Sequence, residues 1–87
     1  MRKHIKLFYL ERCPYCRQAF GFIDELKRQE IYKDVEIELI EESREAAIAS
    51  RYDYYYVPTF YVDEVKAHEG AVTRDEVEAV FRQSMEA

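Results

Sequence analysis

Cys13-Pro14-Tyr15-Cys16 is the constellation in this sequence whose residue types and spacing point to redox chemistry. Two cysteines separated by two residues can close a small disulfide ring. Pro14 suits the first position of a helix, where its missing N–H costs nothing. A helix starting there puts the first sulfur at its N-terminus, where unpaired backbone N–H groups and the positive end of the helix dipole favour a thiolate. The thiolate is the form that attacks a disulfide. Arg12 and Arg17 add positive charge nearby, and Glu11 subtracts some. Cys16 falls on the apolar stripe of the same helix, so it is expected to be buried and to act second. The competing uses are half of a structural zinc site or two incidental helix cysteines. Zinc needs about four ligands, and only His4 and His68 remain, singly and at no ligand-like spacing. No metal is expected.

The elements that must hold these cysteines can be read from the hydrophobic pattern. Residues 5–10 form an apolar run without alternation at its end, as in a strand covered on both faces. Cys16, Ala19, Phe20, Ile23 and Leu26 follow helical spacing, so a helix is expected over 14–30. Gly21 lies inside it, at a cost of about 1 kcal/mol relative to Ala; close packing against the sheet would be a reason to keep it. Residues 35–39 alternate strictly and read as an edge strand with one wet face. Ser43 is the expected N-cap of a short helix reaching residue 52, with Asp53 ending it in a left-handed turn. Residues 57–62 read as a strand, Asp63-Glu64 as a tight turn, and residues 65–68 as its partner, broken by Gly70. Thr73-Arg74-Asp75-Glu76 is a capping box, flanked by Val72 and Val77 at the positions of a hydrophobic staple, and the last helix buries Val77, Val80 and Phe81. The order is β-α-β-α-β-β-α. A helical crossover makes the first two strands parallel, and the last two form a hairpin. The fold class is α/β, a mixed four-stranded sheet with helices on both faces.

Pro58 is the second signal. A proline in a sheet belongs at an edge, a bulge or a strand start, and Pro58 follows Val57 where a strand begins. A cis bond there would turn the Val57 backbone outward toward a bound peptide; a trans bond is the commoner state of a lone proline. The spacing alone leaves both open. Tyr54, Tyr55 and Tyr56 precede it. They either line a substrate groove or are strand-entry aromatics, one in the core and two half-exposed, and the second reading is preferred.

Cys13-Pro14-Tyr15-Cys16-Arg17 after a hydrophobic strand, followed by Val57-Pro58-Thr59 and a hairpin, resembles the glutaredoxin branch of the thioredoxin-fold superfamily. Residues 51–60 are more similar to thioredoxin itself. The resemblance covers the whole chain at the level of elements. It implies that Pro58 is cis, that Cys13 is the nucleophile and that Cys16 resolves. It also implies substrate contacts at Arg12, Tyr15, Val57, Pro58, Ala71 and Thr73. The chain departs from the glutaredoxin pattern at three places. Leu10 stands where a cation faces a glutathione carboxylate, Tyr56 stands in place of Thr, and Gly70-Ala71-Val72-Thr73-Arg74 lacks the acidic pair that holds the γ-glutamyl end. Arg74 there would face an ammonium group. The Trp-Cys-Gly-Pro-Cys motif of thioredoxins is absent as well, so a thioredoxin reductase is not implied.

Size and charge bound the rest. The 87 residues allow one domain, 1–87, and 48% hydrophobic content is enough for one compact core. A net charge of −5 disfavours nonspecific nucleic-acid binding. It divides into +4 over residues 1–33, which carry both cysteines, and −9 over 34–87. Two cysteines are too few for a disulfide-stapled scaffold, and residues 5–10 are too short a run for a membrane span or a signal peptide. The expectation is a cytoplasmic, monomeric thiol–disulfide oxidoreductase with no tightly bound cofactor. Its substrate is a disulfide-containing protein or a small thiol compound, and its electrons come from glutathione or a flavin-dependent reductase. An adaptor module, or one that bridges an iron–sulfur cluster between two chains, is the alternative.

Overall fold

Ile5, Leu7 and Phe8 are fully buried, on opposite faces of one strand, because that strand lies inside the sheet and is covered on both sides. The computed structural model describes residues 2–86. Its elements are β1 (Ile5–Tyr9), α1 (Pro14–Lys27), β2 (Ile37–Glu41), α2 (Ala46–Ala49), β3 (Thr59–Val62), β4 (Val65–Glu69) and α3 (Arg74–Ser84). The sheet order is β2-β1-β3-β4. β1 runs parallel to β2 and antiparallel to β3, and β3 runs antiparallel to β4.

Two cores sandwich this sheet. On one face Ile5, Leu7, Phe60 and Val62 pack against Ala19, Ile23 and Leu26 of α1 and Val77, Val80 and Phe81 of α3. On the other, Phe8, Ile40 and Tyr61 meet Ala49 of α2, with Tyr52 and Tyr54 closing the cluster. The Phe8 ring lies 4.7, 5.0 and 5.6 Å from those of Tyr52, Tyr54 and Tyr61. Aromatic rings carry this second core because α2 is too short to bury an apolar stripe of its own. The first core continues through Tyr32, whose hydroxyl donates to Glu78 (2.8 Å) and accepts from Arg82 Nε (3.1 Å), so a buried phenol is left with no unmet polar group.

The capping box of α3 forms in both directions: Glu76 N–H donates to Thr73 Oγ1, and Thr73 N–H donates to Glu76 Oε1. Val72 and Val77 are both buried beside it, as the staple requires. Asp63 and Glu64 adopt φ of 48° and 69°, the left-handed pair that a two-residue hairpin turn demands.

Several elements differ from the sequence expectation. β1 stops at Tyr9, and α1 ends at Lys27, where Arg28 and Gln29 bond back in tight turns to Glu25 and Leu26. The strand expected over 35–39 lies at Ile37–Glu41. Val35 bonds back to Tyr32 and fills the first core ahead of the strand, while Leu39 is 47% exposed and Ile40 and Glu41 are buried instead. Ser43 does not cap α2, because its hydroxyl is taken by Glu41; the N-cap is Glu45, and the helix covers only four residues. Asp53 is not left-handed; that conformation falls on the hairpin turn and Gly70. β3 begins at Thr59, after Val57 and Pro58.

Gly21 also contradicts its expected reason. It faces solvent, and a Cβ built there meets nothing within 4 Å. It is thus an exposed helix interior glycine with only its entropic cost. Gly21→Ala should raise stability by about 0.5–1 kcal/mol in urea unfolding; a destabilised variant would contradict this placement.

Candidate active site

Three chain segments meet at one end of the sheet: the turn after β1, the loop after β2, and the entry to β3. The meeting follows from the registers, which put Tyr9 opposite Glu41 and Phe8 opposite Thr59. The turn after β1 closes with Cys13 N–H donating to the Leu10 carbonyl at 3.2 Å. Cys13 then occupies the N-cap of α1 with extended backbone (φ −78°, ψ 121°), and Pro14 opens the helix. No side chain caps this end. The Cys13 carbonyl receives the Arg17 N–H at 3.1 Å; ahead of it, Pro14 has no N–H, and those of Tyr15 and Cys16 have no intrahelical partner.

The Cys13 sulfur is half-buried and lies 3.8 Å from the Val57 carbonyl oxygen, to which its thiol donates. The Val57–Pro58 bond is cis. Cys16 lies one turn further along α1, 1% exposed. Burial, joined by its contact with the Cys13 thiol, pushes the Cys16 thiol up to about 12, against a backbone hydrogen bond from Leu10 that favours its thiolate. The two sulfurs therefore differ in kind: one is accessible and the other is held protonated.

Two carboxylates hold the walls, and neither stands out in the sequence. Glu41, at the end of β2, accepts from Glu11 N–H (3.0 Å) on one oxygen and from Ser43 N–H (2.7 Å), the Ser43 hydroxyl (2.5 Å) and Arg44 N–H (3.2 Å) on the other. The Ser43 hydroxyl and these amides hold Glu41 down at about 2, against its burial. Glu69, at the end of β4, pairs with Lys66 and accepts from Tyr55 N–H (2.5 Å) and Tyr56 N–H (3.0 Å); Lys66 first, then the two amides, hold it at about 2. Thr59 Oγ1 donates to the Tyr56 carbonyl. The backbone before Pro58 is thus held by three hydrogen bonds to two side chains, Glu69 and Thr59. The only sequence signal for these roles is position, since each Glu ends a strand.

The other expected site residues divide into two sets. Arg12 and Tyr15 are exposed beside Cys13, and Val57 and Pro58 stand across from it. A cavity of about 430 Å³ opens beside Cys13 between Leu10, Arg12, Ser43 and Arg44. The Ala71 carbonyl lies 2.9 Å from His68 Nε2, and the N–H and hydroxyl of Thr73 are consumed by the capping box. Arg74 does not point into the site. Its guanidinium reaches Glu25 of α1 at 2.8 Å and Glu78 at 3.7 Å, tying α3 to α1. Tyr54 packs against Phe8, whereas Tyr55 and Tyr56 are 87% and 70% exposed and lie outside any strand.

This architecture, with a Cys-x-x-Cys at the start of α1 facing a cis-proline, defines a thioredoxin fold. The family model for the thioredoxin domain matches residues 3–82, and the chain belongs to that family. A malarial protein structure superposes with a TM-score of 0.75 at 12% identity, covering 99% of this chain and 100% of that one. A mutant thioredoxin from Halobacterium salinarum NRC-1 gives 0.72 at 22% identity, over 99% and 77% of the two chains. Zinc-bound human ERp44 gives 0.61 at 18% identity, over 94% of this chain and 26% of its own. No curated protein matches by sequence. Among the described residues no helix is long and apolar enough to cross a membrane, and no cluster of metal-ligating side chains occurs.

Two outcomes are expected from this geometry. In a Cys13→Ser variant, Cys16 should resist iodoacetamide at pH 9 until denaturant is added; ready labelling of the native variant would contradict its burial. Glu41 and Glu69 titrate below the ordinary 4.5. Their contribution to folding is therefore complete above about pH 4.5 and lost as pH falls toward 2. Urea midpoints should drop through that window, and Glu69→Gln should flatten the drop; parallel curves would show that Glu69 contributes nothing.

Proposed function

We propose that this chain is a thiol–disulfide oxidoreductase, glutaredoxin-like in its dithiol motif, that reduces disulfides in proteins and peptides. The observation that carries the reading is the pairing of an accessible Cys13 sulfur at a helix start with a protonated Cys16 sulfur buried beneath it. The Cys13 thiolate attacks one sulfur of the substrate disulfide, forming a mixed disulfide and releasing the first substrate thiol. Cys16 loses its proton and attacks the Cys13 sulfur, closing the Cys13–Cys16 bond and releasing the second. Two electrons pass to the substrate, and an external donor, glutathione or a flavin-dependent reductase, returns them. No resident metal or organic cofactor takes part. A reducing cytoplasm fits such a cycle.

The substrate is a polypeptide rather than glutathione. An extended peptide can pair with the Val57 backbone whatever its side chains, and the exposed Tyr55 and Tyr56 rings offer apolar area next to it. Glutathione recognition needs charge-assisted contacts, each worth about 1.5–3 kcal/mol. Leu10 supplies no cation, Arg74 is engaged with Glu25, and the Thr73 N–H is already donated to Glu76. Loss of two such contacts weakens binding about a hundredfold or more.

Turnover of a peptide disulfide and of a glutathione mixed disulfide, measured side by side, tests both levels. The expected result is efficient reduction of the peptide, abolished in Cys13→Ser, and glutathione mixed-disulfide turnover at least tenfold below that of a dithiol glutaredoxin run in parallel. Reduction that survives Cys13→Ser overturns the mechanism. Equal glutathione turnover overturns the substrate class.

A further inference from the structure

Glu41 is the only ionisable carboxylate buried among the described residues, 7% exposed, and the chemistry above does not use it. We propose that Glu41 is a positioning residue for Cys13: its carboxylate ties the turn that carries the cysteine to the loop leading into α2. The inference rests on the redox reading of the site and adds a residue to it.

The geometry divides the carboxylate between two tasks. One oxygen takes three donors from the α2 side, the Ser43 N–H and hydroxyl and the Arg44 N–H. The other takes one donor, the Glu11 N–H, two residues before Cys13. Serving the α2 loop requires only the first oxygen. Besides that bond, the cysteine turn has the Cys13 N–H to Leu10 contact at 3.2 Å, the long Cys13 thiol contact with the Val57 carbonyl at 3.8 Å, the Leu10 backbone bond to the Cys16 sulfur, and an exposed Glu11–Arg44 ion pair. Exposed pairs of this kind hold little. A buried anion with four donors is well compensated, and such bonds are stronger than neutral ones. Glu41 thus fixes one side of the Cys13 turn while the α1 helix fixes the other. It shares a cavity wall with Cys13, together with Glu11, Arg12 and Arg44, without touching the sulfur.

The consequence falls on ring closure. Cys16 resolves the mixed disulfide only if the Cys13 sulfur is held over it, and intramolecular attack is fast in proportion to that orientation. A looser turn lowers the effective concentration of one sulfur at the other.

Glu41→Gln separates the two tasks. The amide oxygen can keep the three donors from Ser43 and Arg44. The NH2 then faces the Glu11 N–H, donor against donor, and the tie to the cysteine turn is cut. Glu41→Asp keeps the charge but is one methylene too short to serve both sides. Ser43→Ala removes a donor from the α2 side and leaves the Glu11 bond in place. The measurement is the Cys13–Cys16 dithiol–disulfide equilibrium against a thiol redox buffer, with the rate of ring closure from a preformed mixed disulfide.

Glu41→Gln and Glu41→Asp should each close the ring about tenfold more slowly and shift the equilibrium roughly fivefold toward the dithiol. Ser43→Ala should match the unmodified protein in both, even if its melting temperature falls. Cys13 alkylation should not slow in Glu41→Gln, since a negative charge near the thiolate has been removed. Wild-type closure in both Glu41 variants overturns the proposal, as does an equal loss in Ser43→Ala, which would assign the effect to loop stability. If Glu41→Gln does not fold, Glu41→Asp against Ser43→Ala decides by the same readouts. Failure of the unmodified protein to reduce any peptide disulfide would sink the functional reading, whereas the ring-closure comparison would still decide the role of Glu41.

Discussion

β1 is hydrogen-bonded along both edges, to β2 on one side and β3 on the other. Its C-terminal end cannot shift without disturbing two ladders, and every part of the reactive end is referred to it. The parallel register brings the end of β2, and so Glu41, beside the turn that leads to Cys13. The antiparallel register brings the start of β3, and so the cis Val57–Pro58 bond, to the other side. β4 follows, with Thr59 opposite Glu69, so Glu69 reaches the tyrosine segment before Pro58. Burial of Ile5, Leu7 and Phe8 on two faces is what makes this frame stiff; each large apolar side chain contributes about 1.5–3 kcal/mol.

The polar groups at this end divide between holding and reacting. Two carboxylates and a threonine hydroxyl consume backbone donors and acceptors that would otherwise compete for a substrate. The Cys13 thiol makes one long contact, at 3.8 Å, with the Val57 carbonyl. The walls of the site are thus tied by hydrogen bonds, while the Cys13 sulfur keeps a single long one. The polar groups of Thr73 and Arg74 are likewise engaged on the surface, in the start of α3 and in its tie to α1.

Where a local rule had one solution, the sequence was enough. Pro14 after Cys13 suits the first position of a helix and takes it, the Thr73–Glu76 box marks the start of its helix, and Asp63-Glu64 after the β-branched and aromatic run 57–62 gives the hairpin. The cis state of Pro58 was implied by resemblance and not by spacing. What local rules missed was settled by long-range pairing. Alternation from Val35 to Leu39 is genuine, yet Val35 is drawn under the first core by its turn with Tyr32, so the strand slides two residues and buries Ile40 and Glu41. Ser43 carries every mark of a helix cap, but a buried carboxylate two residues earlier claims it first. Glu41 itself was illegible, because a glutamate at a strand end is ordinarily a solvated one. Gly21 suggested close packing where there is open space.

The central claim is that Cys13 attacks and Cys16 resolves. The most direct test is to incubate Cys16→Ser and Cys13→Ser with the same disulfide-containing peptide and weigh the products by mass spectrometry. The account predicts a stable one-to-one mixed disulfide on Cys13 in the first variant and no adduct in the second. A trapped adduct on Cys16, or equal labelling of both variants, would contradict it.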